Sequence, residues 1–125
     1  MLKTVATDSA PAAIGPYSQA VVAGNTVYAS GQIPLVPETG KLAQGGVAAQ
    51  AEQTIKNVGE ILKAAGASYG AVVKTTCFLA NMDDFAAFNA VYEKYFTGKP
   101  ARSCIAVKAL PRGALCEVEA VAVLE

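Results

Sequence analysis

The sequence predicts an α+β domain in which two helices pack on one face of a mixed β-sheet. Three observations carry that expectation. A Gly24-Asn25 turn separates two apolar runs, two stretches of helical periodicity each end at glycine or proline, and Val- and Thr-rich runs lie between and after them. At 125 residues, with no repeat or linker-like stretch, the chain has the length of one domain spanning 1–125.

Tyr17 to Ala23 and Thr26 to Gly31 flank the Gly24-Asn25 pair, which suits a hairpin of two adjacent antiparallel strands. Pro34, Pro37 and Thr39-Gly40 then mark a loop, since proline removes ladder donors and glycine permits turn angles. From Gly46 onward Val47, Ala51, Ile55, Val58, Leu62 and Ala65 recur at spacings of four and three, opposite Glu52, Lys56, Glu60 and Lys63. That spacing predicts an amphipathic helix ending near Gly66.

Ala71 to Ala80 reads as a strand. Asn81 follows as an N-cap, with Asp83 and Asp84 in the first turn of a second helix whose apolar stripe is Phe85, Phe88, Tyr92 and Tyr95. Gly98 and Pro100 stop it. Two last strands, Ala101 to Lys108 and Leu115 to Leu124, are separated by Leu110-Pro111-Arg112-Gly113.

Alternation along these strands assigns faces. In the last strand Cys116, Val118, Ala120, Ala122 and Leu124 take the helix side, leaving Glu117, Glu119, Val121 and Val123 opposite. In the penultimate strand Ser103, Ile105 and Val107 form the greasier side, expected to meet the helices, with Arg102, Cys104 and Ala106 on the other. Arg102 and Glu117 are thus expected on one helix-free face. That face is half apolar and half ionic, so a second subunit is expected to cover it and to leave a cleft between subunits.

Composition excludes several classes. The apolar fraction is 53% and the charged fraction 16%, against a typical charged share of about 25%, which favours self-association. Ten basic and ten acidic residues cancel, and no basic stripe is present to track phosphates, so nucleic acid is not an expected partner. No signal-peptide core or membrane-spanning stretch is seen, and the chain is read as cytoplasmic. Cys77, Cys104 and Cys116 lack metal or redox spacing and read as free thiols. The sequence holds no histidine, which removes the usual general base and the commonest metal ligand.

The remaining candidates each carry two readings. Arg102 can grip a carboxylate through its planar fork, or form a structural ion pair with Glu117 or Glu119. Glu117 can exchange protons near neutrality in a partly dry cleft, or serve as that salt-bridge mate. Cys104 is either a thiolate favoured by Arg102 or a small hydrophobe. Asn89 is expected to be half buried, tethering helix to strand or lining a pocket. Tyr17 and Ser30 offer hydroxyls near the ends of the hairpin strands.

Four ordered motifs take the reading further: Ala10-Pro11-Ala12-Ala13-Ile14-Gly15-Pro16-Tyr17-Ser18-Gln19-Ala20, Ser30-Gly31-Gln32-Ile33-Pro34, Pro100-Ala101-Arg102-Ser103-Cys104 and Glu117-Val118-Glu119-Ala120. Over essentially its whole length the chain resembles the reactive-intermediate deaminase (Rid, or YjgF) family, in the archetypal branch that keeps the arginine of Pro-Ala-Arg. The resemblance implies a chorismate-mutase-like fold and a homotrimer with sheets inward, helices outward and clefts between subunits. It implies a 2-iminobutanoate/2-iminopropanoate deaminase, which hydrolyses imino and enamino acids such as 2-aminoacrylate to 2-oxo acids and ammonia, with no metal or cofactor. By motif, Arg102 would bind the substrate carboxylate and Glu117 would position or activate water. Tyr17, Ser30, Gly31, Asn89 and Cys104 would complete the pocket. The join Phe96-Thr97-Gly98-Lys99-Pro100 is shorter than in many relatives, which bears on the cleft rim. Two rival classes are a non-enzymatic 2-oxo-acid-binding or chaperone module and a ribonuclease or translation inhibitor, the latter disfavoured by the missing histidine and basic face.

Overall fold

A computed structural model of the chain describes residues 2–125. It contains strands β1 (Leu2–Val5), β2 (Ala20–Ala23), β3 (Thr26–Gln32), β4 (Val72–Leu79), β5 (Ala101–Ala106) and β6 (Cys116–Val123), with helices α1 (Val47–Ala64) and α2 (Phe85–Tyr95). The strands form one mixed sheet in the order β1-β2-β3-β6-β4-β5. All neighbours are antiparallel except β4 and β5, which run parallel and are joined through α2. This is the expected mixed sheet with two packed helices.

α1 forms because its apolar residues fall on one stripe. Ala51, Ile55, Val58, Ile61 and Leu62 are all fully buried against the sheet. The helix ends where Gly66 adopts φ 88°, an angle open to glycine. Asn81 caps the short helical turn that leads into α2, its Oδ1 accepting from the Asp83 N–H at 2.8 Å. Phe88 and Tyr92 then bury the inner face of α2.

Two expectations are corrected at the amino-terminal end. Leu2–Val5, not foreseen as a strand, pairs antiparallel with β2. It is a short edge strand with a lysine at its centre, a pattern too brief to announce itself and one that discourages further pairing. Conversely, Tyr17 to Gln19 do not join the hairpin strand, which starts at Ala20. Here the buried Gln19 amide does what a ladder would do: its Oε1 accepts from Thr7 N–H at 2.6 Å, and its Nε2 donates to Thr7 O at 3.1 Å and Pro11 O at 2.8 Å. Side-chain bonding of this kind holds the 7–19 segment in an irregular path.

β6 alternates as expected. Cys116, Val118, Ala120 and Ala122 lie buried under the helices, and Glu117, Glu119, Val121 and Val123 face the other way. β5 does not. Its parallel register sets Arg102 opposite Thr75 and Cys104 opposite Cys77, and Thr75 and Cys77 are both fully buried on the helix side. Arg102 and Cys104 therefore stand on the helix face, and Ser103 and Ile105 on the helix-free face. The physical reason lies in α2, whose aromatic rings offer a cation a favourable surface that no count of strand hydrophobicity contains.

The helix-free face exposes large apolar groups. Tyr28 is 53% and Ile105 48% accessible. No helix among the described residues is long and apolar enough to cross a membrane.

Candidate functional site

The first cluster is built around Arg102 on edge strand β5. Its guanidinium carbon sits 4.8 Å from the centre of the Tyr92 ring and 5.5 Å from that of Phe85. Nη1 donates to Asn89 Oδ1 at 2.7 Å. Phe85, Asn89 and Tyr92 are spaced by four and three residues, so one stripe of α2 supplies all three contacts. The Tyr92 ring is itself pinned, because its hydroxyl shares a 2.7 Å hydrogen bond with the fully buried Thr75. A cavity of about 360 Å³ opens here, lined by Asn89, Tyr92, Glu93, Phe96, Lys99, Pro100 and Arg102.

Asn89 thus tethers α2 to β5 and at the same time orients the guanidinium. Cys104 lies two residues along the same face. Burial pushes its thiol above the ordinary value, with Arg102 pulling in the opposite direction and not prevailing. A thiolate is therefore not favoured at Cys104, and its small, half-buried side chain reads as packing.

The second cluster is built around Glu117 on β6. Between Ala29 and Gln32 the β3–β6 register shifts, so that Ser30 and Gly31 together oppose Glu119. This bulge turns the β3 backbone toward the acid. Gly31 has no side chain because the carboxylate occupies the place: a Cβ there would fall 3.0 Å from Glu117 Cδ and collide with Oε2. Ser30 is held by donating from Oγ to Ser18 O at 2.6 Å and from N–H to Gln19 O at 2.9 Å. Tyr17, half exposed on the 11–17 loop, completes a cavity of about 730 Å³.

Glu117 titrates above the ordinary carboxylate value, first because burial penalises its charge and second because Glu119 stands nearby. A carboxyl so placed can hold or release a proton closer to neutrality than an exposed one.

Tyr17, Ser30, Gly31 and Glu117 therefore come together, and so do Asn89, Arg102 and Cys104. The two groups do not meet within one chain. The expected common face for Arg102 and Glu117 is corrected, and with it the ion pair between them, because the β5 register reverses Arg102. The larger cavity also takes Pro11, Ala12, Ile14, Gln32, Ile33, Leu35, Pro111, Arg112 and Glu119. Ile33 lay within a recognised motif. Arg112 and Leu35 carried no signal, since only the folded loops bring them to the wall. Among the described residues no group of three or more Cys, Asp or Glu is placed to hold a metal ion.

The chain matches the family described as endoribonuclease L-PSP over residues 7–124. It is 55% identical over 122 residues to 2-iminobutanoate/2-iminopropanoate deaminase of Mus musculus, covering 97% of this chain and 90% of that protein. It is 51% identical over 127 residues to the Escherichia coli K12 protein of the same name, covering 98% of each. Among solved structures, the YjgF gene product of E. coli superposes with a TM-score of 0.93 at 50% identity, over 98% of this chain and 99% of that one. E. coli TdcF with bound serine superposes with a TM-score of 0.94 at 42% identity, again over 98% and 99%.

Proposed function

Because this chain belongs to the reactive-intermediate deaminase (Rid, or YjgF) family, we propose that it hydrolyses 2-imino acids and their enamine tautomers to 2-oxo acids and ammonia, as a 2-iminobutanoate/2-iminopropanoate deaminase. The observation that carries this reading is the state of Arg102. Its guanidinium is oriented by Asn89 and by two aromatic rings, and it meets no acid at hydrogen-bond distance among the described residues. A cation held in this way is ready for a carboxylate, which a guanidinium binds through two parallel hydrogen bonds.

The reaction needs little beyond a clamp and a proton-exchanging group. With the carboxylate on Arg102 the substrate's C=N carbon is fixed in place, already electrophilic once nitrogen is protonated. Glu117 accepts a proton from the attacking water as the C–O bond forms. It returns that proton to nitrogen and then takes the hydroxyl proton as the C–N bond breaks, so that ammonia leaves, a C=O is left behind, and the proton passes from Glu117 to ammonia or solvent. Tyr17, Ser30 and Gly31 frame Glu117, while Asn89 and Cys104 frame Arg102. An enamine enters the same course after one proton reaches its terminal carbon.

Arg102 and Glu117 project from opposite faces of one sheet, so one chain cannot present both to a substrate. Two copies can. We infer a homotrimer in which the helix-free sheet faces are covered and the Glu117 cavity of one subunit meets the Arg102 cavity of the next. Support comes from the exposed Tyr28 and Ile105 on that face. A ribonuclease reading is disfavoured, since the chain holds no histidine to serve as general base and its basic and acidic residues cancel.

The test couples an amino-acid oxidase, which generates the imine, to measurement of 2-oxo acid or ammonia release. Wild type speeds release, and Arg102→Ala abolishes the acceleration while light scattering shows unchanged oligomer size. An undiminished rate in Arg102→Ala removes the arginine from the mechanism. Tight 2-oxo acid binding without turnover of any imine turns the assignment toward a binding module.

A further inference from the structure

Lys99 closes the short connection between α2 and β5 and stands on the wall of the same cavity as Arg102. Its backbone lies at φ 54°, in the left-handed region. Residues with a Cβ rarely adopt that region, and Pro100 follows, whose ring ordinarily confines the preceding residue to extended backbone. Such a conformation persists only where the surroundings impose it.

The surroundings are identifiable. Phe96, 2% exposed, anchors one end of the connection in the core, and Ala101 is locked in register with Lys74 at the other. Between them the Lys99 N–H turns back to Phe96 O at 3.2 Å. Three residues and a proline must reverse the chain, and the left-handed turn is what the short span leaves available. A consequence is that Lys99 joins Arg102 on the wall of one cavity. Two cations, Lys99 and Arg102, face one acid, Glu93, around a space of about 360 Å³.

We propose that Lys99 is a second substrate-positioning residue, whose ammonium draws the carboxylate of the incoming imino acid toward Arg102 and holds its outer oxygen. This rests on the reading of Arg102 as the carboxylate clamp. The donor inventory supports it: Nη1 of Arg102 is already given to Asn89, so one corner of its fork is committed. A carboxylate offers about four lone-pair directions, which leaves capacity for a second cation.

Lys99→Gln and Lys99→Arg are compared with wild type in the coupled imine assay at low ionic strength and again in 0.5 M salt, with roughly the screening expected of an exposed charge. Loss of the charge in Lys99→Gln raises KM about two- to fivefold, the range for exposed ion pairs, with kcat unchanged because the contact is present in ground and transition states alike. Lys99→Arg stays near wild type, and the gap between Lys99→Gln and wild type closes in salt. Equal KM values for Lys99→Gln and wild type at low salt overturn the proposal, as does Lys99→Arg behaving like Lys99→Gln. Calorimetric binding of 2-oxobutanoate to the same proteins reads Lys99 without turnover. A chain that turns over no imine but loses 2-oxobutanoate affinity in Lys99→Gln refutes the deaminase reading and leaves this inference standing.

Discussion

Arg102 and Glu117 sit on strands separated only by β4, yet they leave the sheet on opposite sides. Arg102 is level with the buried Thr75, and Glu117 is level with Phe78 and Ile105 on the helix-free face. A site that uses both must therefore be completed by a second subunit.

Complementation between subunits follows. Arg102→Ala and Glu117→Gln chains are each expected to be inactive alone. Unfolded together in equal amounts and refolded, they recover activity, because some boundaries pair an intact arginine face with an intact glutamate face. Random assembly of a ring makes that about one boundary in four, so roughly a quarter of wild-type activity is expected in the coupled assay. Recovery indistinguishable from zero, with assembly intact, would rule out a shared site.

Gly31→Ala tests the placement of the carboxylate. Gly31 is not held at positive φ, so alanine meets no backbone penalty, and the only conflict is with Glu117. The carboxylate must move aside. A fall in kcat/KM of about 10- to 100-fold is expected, as for a misplacement of order 1 Å, with little change in thermal stability. Wild-type kinetics in this variant would show that Glu117 need not lie where it does.

The raised titration of Glu117 has a sign that can be measured. Burial lifts its folded-state pKa above the ordinary value, so between the two values the folded chain binds more protons than the unfolded one. Stability then falls as pH rises through that window and stays lower above it. Glu117→Gln removes the term, so its melting temperature exceeds that of wild type at pH 7 by more than at pH 4. The acid limb of the wild-type kcat/KM profile lies above the range of an exposed carboxylate, and Glu117→Gln loses it together with activity. Parallel stability curves for the two proteins from pH 4 to 7 would contradict the assignment.

Tyr92→Phe separates support from chemistry. It keeps the ring beneath Arg102 but leaves the hydroxyl of Thr75, fully buried, without its 2.7 Å partner. A loss of about 1–3 kcal/mol is expected, seen as a melting temperature lower by several degrees at equal protein concentration, with KM close to wild type. A large rise in KM without a change in melting temperature would instead place the hydroxyl at the substrate.

Much of this protein is legible in its sequence, since hydrophobic period is a local property. The stripe of α1, the inward set Cys116, Val118, Ala120 and Ala122, and the Gly24-Asn25 turn all follow from spacing and turn chemistry. The four motifs likewise contain Tyr17, Ser30, Gly31, Arg102, Cys104 and Glu117, whereas Phe85, Asn89, Tyr92, Leu35 and Arg112 lie outside them. Alternation, however, states only which side chains share a face. It does not state which face the helices cover. For β5 that was decided by parallel register with β4 and by the aromatic rings of α2, contacts between residues far apart in the chain. The β3 bulge under Glu117 and the Gln19 bonds that hold the 7–19 segment are decided in the same way. Each depends on where a distant backbone atom comes to rest, and that position exists only once the sheet has closed.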